Sequence, residues 1–250
     1  MVEIELDLSL CTVAGRQLKG VAGLLRSVQE TADPVGVETL VAEVEESGAT
    51  ALADEFPGLT VVRLFGLSRL AALNRLLDLS QGRYSALVDD DLLVQPECLA
   101  RLIDFMDDNP DVGMVSPRII DLYGQAEASC HDFPLLFKLA ALPLPLAPPK
   151  LLTTTSEVDW CGGGFLLLRR ELLEEIGPLD EACARLAELD LAWRSRQQGW
   201  HNSYCAEATV VHSRAGRAHP GGPGTPSWPE GLKAFPGFLK KRLLGRPQAI

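Results

Sequence analysis

The chain has 250 residues, 46% apolar and 23% charged, with a formal net charge of −11. That length and apolar content can bury a full core in one large domain, or in one domain with an appendage. The acidic balance excludes a general nucleic-acid binder, because gripping phosphate backbones takes an excess of Lys and Arg, but it leaves room for a nucleotide carried on a divalent cation.

Ile4, Leu6, Leu8 and Leu10 alternate with polar residues and predict a half-buried first strand; apolar residues at helical spacing predict a helix over Leu18 to Val28. Val37 to Val44 reads as a strand, Thr50 to Phe56 as a helix, Leu59 to Leu64 as a strand and Leu70 to Leu79 as a helix closed by Gly82. Tyr84 to Val88 is the next strand, Pro96 to Asn109 a helix with Leu99, Leu102, Ile103 and Met106 on one face, and Val112 to Val115 a short strand. Strands alternating with helices define an α/β chain with a doubly wound, mainly parallel sheet.

Pro143 to Thr155, rich in proline and then threonine, reads as a loop. Beyond it come a strand over Phe165 to Leu168, helices over Arg170 to Ile176 and near Leu186 to Gln198, and a strand through Thr209 to Val211. His219 to Pro229 is rich in Gly and Pro, and residues 231–250 combine Leu232, Phe235, Phe238 and Leu239 with Lys233, Lys240, Lys241 and Arg242. Such a basic amphipathic tail suits peripheral contact with an anionic membrane face. The run from Phe133 to Pro149 is broken by Lys138 and four prolines, so it is not read as a membrane span. The opening Met1-Val2-Glu3-Ile4-Glu5 is not read as a signal peptide, and the six cysteines form no Cys-x-x-Cys pair. Both features point to a cytoplasmic setting with free thiols.

The strand Tyr84 to Val88 runs into Asp89, Asp90 and Asp91 before the apolar Leu92-Leu93-Val94. Ligands of open α/β sheets sit outside the carboxyl ends of the strands, and oxygen ligands there suit Mg2+ or Mn2+ with the phosphates it carries. The bland alternative is a helix-capping turn. In extended backbone Asp89 and Asp91 face one site and Asp90 turns aside. Asp159-Trp160-Cys161-Gly162-Gly163-Gly164 precedes a buried strand, as a close approach to ligand or as a simple bulge. Trp160 there lines a sugar pocket or packs inside. Glu188 projects into a cleft as a general base if its helix begins irregularly; otherwise it favours the helix N-terminus while Asp190 pairs with Arg194. His212, at a strand end, is a structural histidine or a third metal or phosphate contact.

Taken in order, these segments resemble the family-2 glycosyltransferases, particularly the bacterial rhamnosyltransferase-like members. Gly82-Arg83-Tyr84 to Val94 is similar to the segment bearing the Asp-x-Asp motif, and Asn109-Pro110-Asp111-Val112-Gly113 and Ser129 to Pro134 also match family stretches. Asp159 through Arg170 resembles the acceptor-side strand, Ile176 to Glu181 the stretch before the catalytic acid, and Val210-Val211-His212 the closing strand. The resemblance implies a GT-A fold over residues 1–216, with a nucleotide-binding half over 1–125, an acceptor half over 156–216, and a linker and tail over 217–250. It assigns Glu43, Asn74, Asp89 and Asp90 to the nucleotide and donor, and Trp160, Gly163, Gly164 and Asp190 to the acceptor pocket. Asp89, Asp91 and His212 fall to the metal, Mg2+ or Mn2+, and Glu188 to catalysis.

The activity so implied is inverting, metal-dependent sugar transfer from a nucleoside-diphosphate sugar to a saccharide or lipid-linked saccharide, in surface polysaccharide or glycolipid synthesis. Three features depart from the family pattern. Its Asn after the first strand is absent from Cys11-Thr12-Val13-Ala14. Its Asp-x-Gly-Ser turn after the second strand is replaced by Val41 to Gly48, with Glu43 standing in for the base-reading Asp, and Glu188 stands where an Asp is usual. A catalytically degenerate binding protein on the same fold is the alternative, and a nucleotidyltransferase the third.

Overall fold

A computed structural model of the chain describes residues 6–15, 18–32, 35–133, 149–162 and 164–213. The predicted linker, the amphipathic tail over 231–250 and most of the proline-rich loop lie outside them.

Strand β1 (Leu8–Ala14) is followed by α1 (Leu18–Thr31), β2 (Val37–Glu43), a short 3-10 turn running into α2 (Leu52–Glu55), β3 (Leu59–Arg63), α3 (Arg69–Leu79) and β4 (Tyr84–Val88). Then come β5 (Leu92–Val94), α4 (Cys98–Asp108), β6 (Val112–Ile120), β7 (Cys130–His131), β8 (Ser156–Val158), β9 (Trp160–Cys161) and β10 (Phe165–Arg169). The described chain closes with α5 (Arg170–Ile176), a 3-10 turn over Glu181–Leu186, α6 (Ala187–Gln197) and the long β11 (His201–His212). Among the described residues no helix is long and apolar enough to cross a membrane.

The large sheet runs β3-β2-β1-β4-β10-β6-β11-β5, with β8 added on β11, while β7 and β9 form a separate ribbon. Strands β1 to β4 are parallel, as the βαβ pattern requires. β10 enters antiparallel between β4 and β6, and β11 runs parallel to β6. The sheet is therefore mixed, with its parallel half at the N-terminal end of the chain.

Side chains alternate between two cores. Leu87, Leu166 and Leu168 pack with Leu73, Leu76, Leu172 and Leu189 from α3, α5 and α6. Ala86, Val88, Phe165 and Leu167 pack on the opposite face with Leu24 of α1 and Leu99, Leu102 and Met106 of α4. The predicted half-buried first strand is corrected here: all seven residues of β1 are buried. Of its polar members Ser9 is satisfied inside, because Ser9 Oγ donates to Glu38 and accepts from the backbone N–H of Gln81 (3.1 Å) and Gly82 (2.8 Å), whereas Thr12 Oγ1 is buried without a hydrogen-bond partner. Two other strands outrun their sequence signals. β6 continues past Val115 to Ile120, and β11 begins at His201, with irregular pairing between Cys205 and Thr209 that interrupts its period.

Gly82 brings the β3–β4 crossover down onto β1. A Cβ at this position would lie 2.7 Å from both Leu8 C and Ser9 N, which are backbone atoms that cannot rotate away. Gly82→Ala is expected to lower stability by about 1–3 kcal/mol, the usual cost of overpacking, and to do so as a reduced urea midpoint with unchanged slope. A midpoint equal to that of the parent chain would show that β1 and the crossover are not in contact.

Candidate active site

Strand parity places the first acid. Leu87 faces α3 and α6, so Asp89, two residues on, continues on that side at the C-terminal edge of the parallel strands. Because Phe165 of β10 pairs with Val88, Gly164 falls opposite Asp89, and its carbonyl accepts the Asp89 N–H at 2.7 Å. Gly164 has φ +89°, and a Cβ there would come within 2.6 Å of Asp89 Oδ2 and 2.8 Å of Cγ. Only glycine fits both the dihedral and the space. The buried Asp89 carboxylate is ion-paired with Arg69 at the start of α3. Burial pushes its pKa up, Arg69 opposes this, and Asp91 and Asp90 push it further up.

Beyond Asp89 the backbone is no longer extended, since the Leu92 N–H closes a turn onto the Asp89 carbonyl at 3.3 Å. Asp91 is placed instead by β11: Ser213 donates its N–H (2.7 Å) and hydroxyl (2.9 Å) to the Asp91 carbonyl. Pairing of His212 with Leu92 sets the imidazole beside Asp91, at 3.7 Å from Nε2 to Oδ1. His212 Nδ1 lies 2.9 Å from Glu127 Oε2. Held between these two acids, the imidazole has its pKa raised to about 10 by hydrogen bonding to Asp91 and then Glu127, against burial. His212, expected as a metal contact, thus faces Asp91 with Nε2 and Glu127 with Nδ1. Asp90 turns toward the β1–α1 connection, where a Cβ on Gly20 would lie 2.6 Å from its carbonyl oxygen and one on Gly15 3.2 Å from its Oδ2.

Glu188 lies in the first turn of α6, a helix that starts from Leu186 without a side-chain cap. Its Oε2 is buried with no hydrogen-bond partner. Burial, then the negative charge of Asp89, pushes this carboxyl up to about 7, with Arg69 opposing. Asp89, Asp91, His212, Arg69 and Glu188 thus form one electrostatic cluster. Asp89 and Asp91 supply the hard oxygen donors that Mg2+ and Mn2+ take, and with the neighbouring Asp90 they leave Arg69 and His212 outnumbered. The cluster is suited to a divalent cation.

Four other expected site residues are committed elsewhere. Glu43 Oε1 accepts from Ser47 N, Ser47 Oγ and Ala49 N, each at 2.9 Å, and ties up the loop after β2. Burial pushes its pKa up, but those hydrogen bonds outweigh it and leave the group below its ordinary value. Asn74 donates to the Leu179 carbonyl (2.9 Å) and accepts from the Leu179 N–H (3.1 Å), clamping the segment before α6 rather than pointing at a donor. Trp160 is buried and stacks on His131 with centroids 4.1 Å apart, so its ring is packing and not an open sugar platform. Asp190 is fully buried and bound to Arg194 Nε at 2.8 Å. Arg194 in turn donates to the carbonyls of Ile176, Gly177 and Pro178. Gly163 lies outside the described residues. Arg69 was not anticipated; Ser68, which caps α3 by accepting from Ala71 N at 3.1 Å, is the signal that aims the next side chain at the strand ends.

A mainly parallel mixed sheet with β10 inserted antiparallel between β4 and β6, and paired acids where β4 meets that insertion, define the nucleotide-sugar transferase fold of the GT-A type. The chain belongs to glycosyl transferase family 2, whose profile matches residues 45–177. It is 30% identical over 133 residues to the N-acetylglucosaminyl-diphospho-decaprenol L-rhamnosyltransferase of Mycobacterium tuberculosis, a match covering 48% of this chain and 43% of that relative. The match therefore spans less than half of the relative's length. Among solved structures the chain is similar to GalNAc-T7 with UDP, GalNAc and Mn2+ (TM-score 0.63, 14% identity, 92% of this chain and 48% of that one). It is also similar to the mannosyltransferase PcManGT from Pyrobaculum calidifontis in complex with GDP-Man and Mn2+ (0.61, 17%, 95% and 70%) and to S. aureus TarS (0.62, 14%, 83% and 60%). At these identities the likeness is one of fold.

The buried Glu188 carboxyl has a consequence for stability. Its native pKa of about 7 exceeds the ordinary 4.5, so the native state holds the proton to higher pH than the unfolded chain. Stability then falls as pH rises from about 4.5 to about 7 and levels off above. In metal-free protein Glu188→Gln is expected to be more stable than the parent at pH 8 by on the order of 2–3 kcal/mol, and equal to it at pH 4. Urea midpoints across that range check this; a variant destabilised at pH 8 would mean that the carboxylate is well solvated.

Proposed function

We propose that this chain catalyses inverting transfer of a sugar from a nucleoside-diphosphate sugar to an acceptor hydroxyl, in synthesis of a surface polysaccharide or glycolipid. The observation that carries the reading is the Glu188 carboxyl, buried, with an unpartnered Oε2, beside Asp89 at the carboxyl edge of the sheet. A base with a pKa near the operating pH takes a proton most effectively. Glu188 accepts the acceptor proton as that oxygen attacks the anomeric carbon. The new C–O bond forms on the face opposite the breaking bond to the diphosphate, and the transition state has oxocarbenium character.

Asp91 and Asp89 would hold Mg2+ or Mn2+, which when bound offsets the negative charge building on the diphosphate leaving group. Arg69, whose side chain is 37% exposed, opposes the upward shift that burial imposes on Asp89 and presents its remaining N–H donors to the same diphosphate. His212 and Ser213 hold Asp91 in place, and Asp190, Arg194 and Asn74 fix the segment leading into the Glu188 helix. Gly164 leaves room for the Asp89 side chain itself.

The relative's name includes a lipid-linked saccharide, and two of the structures above were solved with UDP and with GDP-Man respectively. We take the acceptor as a saccharide or lipid-linked saccharide, approached from the membrane face by the basic segment 231–250. Because Glu43 is occupied by its own loop, base selection falls to other groups along the β1–α1 and β2 connections.

Screening UDP-, dTDP- and GDP-sugars with Mn2+ for nucleoside-diphosphate release identifies the donor. With that donor and its acceptor, Glu188→Gln and Asp91→Asn are each expected to lower turnover by about 10^2- to 10^4-fold. Undiminished turnover in the Glu188 variant would remove it as the base. Absence of release with every sugar nucleotide would favour a binding protein on this fold.

A further inference from the structure

Away from the acidic cluster, the small β7–β9 ribbon brings two cysteines together. Cys130 and Cys161 are register partners, both buried, with their sulfurs 3.5 Å apart. The flanking Gly162 N–H donates to the Ser129 carbonyl at 2.9 Å, which makes 129/162 a hydrogen-bonded pair and 130/161 the closer, non-hydrogen-bonded kind. Such pairs have Cα atoms about 4.5 Å apart, inside the range of about 4.4–6.8 Å that a disulfide spans.

The pair has an approach from outside. Cys130 forms part of the wall of a cleft of about 210 Å3, together with His131, Asp132, Lys150, Glu157 and Asp159. Hydrogen bonding from Cys161 lowers the Cys130 thiol below its ordinary value, burial opposes this, and Lys150 adds to the lowering, whereas Cys161 is pushed well above. The member that meets the cleft is thus the better nucleophile.

We propose that Cys130 and Cys161 are a reversible dithiol–disulfide site that reacts with a small organic disulfide entering this cleft and so cross-links β7 to β9. The Cys130 thiolate attacks one sulfur of the reagent, forming a mixed disulfide and expelling one thiolate. Cys161 then loses its proton and attacks the Cys130 sulfur, which releases the second thiolate. Two protein S–H bonds are replaced by one S–S bond, and the two electrons and two protons pass to the reagent, which leaves as two thiols. A reducing dithiol reverses both steps.

The site lies near the proposed base. β9 packs against α6, and the Glu188 charge is felt at Cys161. Oxidation therefore stiffens the strand on which the Glu188 helix rests. This consequence rests on the reading of Glu188 as the base, whereas the cross-link itself does not.

The test uses the full chain, reduced and desalted, with cystamine as the oxidant, because this short cationic disulfide suits a cleft carrying Asp132, Glu157 and Asp159. After treatment the protein is denatured, alkylated and digested for mass spectrometry. The expected result is four alkylated cysteines out of the six in the chain and one linked peptide pair containing Cys130 and Cys161, reversed by dithiothreitol. Cys161→Ser is expected to trap one cystamine half on Cys130, and Cys130→Ser to form no cross-link. Six alkylated cysteines, a wild-type protein arrested as the mixed disulfide, or a link mapping to Cys98 and Cys205 would each overturn the proposal.

Discussion

The contact between Asp89 and Gly164 is the constraint on which the rest of the molecule turns. β4 ends in a charge that must be buried, and β10 arrives antiparallel beside it with a residue that has no side chain and a φ of +89°. The carbonyl of that glycine receives the Asp89 N–H, so the acid is fixed by backbone pairing rather than by a flexible loop. From this step β10 leads directly into α5, and the chain returns through a 3-10 turn into the helix that carries Glu188. The same antiparallel insertion thus seats Asp89 and routes the chain back toward it at Glu188.

Electrostatics then sets what the cluster is for. Asp89, Asp90, Asp91 and Glu188 meet two cations, Arg69 and His212, and His212 is shared with Glu127. Burying that excess of acids costs stability unless protons or a metal offset it, and the raised pKa values of Asp89 and Glu188 express this cost. Beside the cluster Arg194, bound to Asp190, holds the Ile176–Pro178 carbonyls and Asn74 holds Leu179, while the buried Glu188 Oε2 has no hydrogen-bond partner.

Much of this was legible in the residues. The alternation of strands and helices gave β2, β3 and β4 within a residue, whereas β1 runs on to Ala14, four residues past the Ile4-to-Leu10 alternation. The acids at the end of Tyr84–Val88 stood out since nothing else in that run tolerates water. What escaped the sequence was pairing across long separations. Ser9 and Thr12 make β1 look half-exposed, yet both are buried in a central strand. Glu43, Asn74, Trp160 and Asp190 have the right types at the right positions for a ligand site, but each meets a partner from a distant segment that claims its polar atoms or its face. Arg69 was missed for the converse reason, as its role exists only once α3 lies across the end of β4. The opposition of Cys130 and Cys161 likewise depends on a ribbon of two residues per strand, too short to leave a periodic signal.

The central claim is that the acids after β4 hold a divalent cation together with a nucleoside diphosphate, and electron paramagnetic resonance of Mn2+ tests it most directly. Titrating Mn2+ into the protein with saturating nucleoside diphosphate should remove one equivalent of the free-ion signal per chain. Asp91→Asn should leave the signal at the level of Mn2+ and nucleotide alone. Uptake in that variant equal to the parent's, or no protein-dependent uptake in the parent with UDP, dTDP or GDP, would contradict the account.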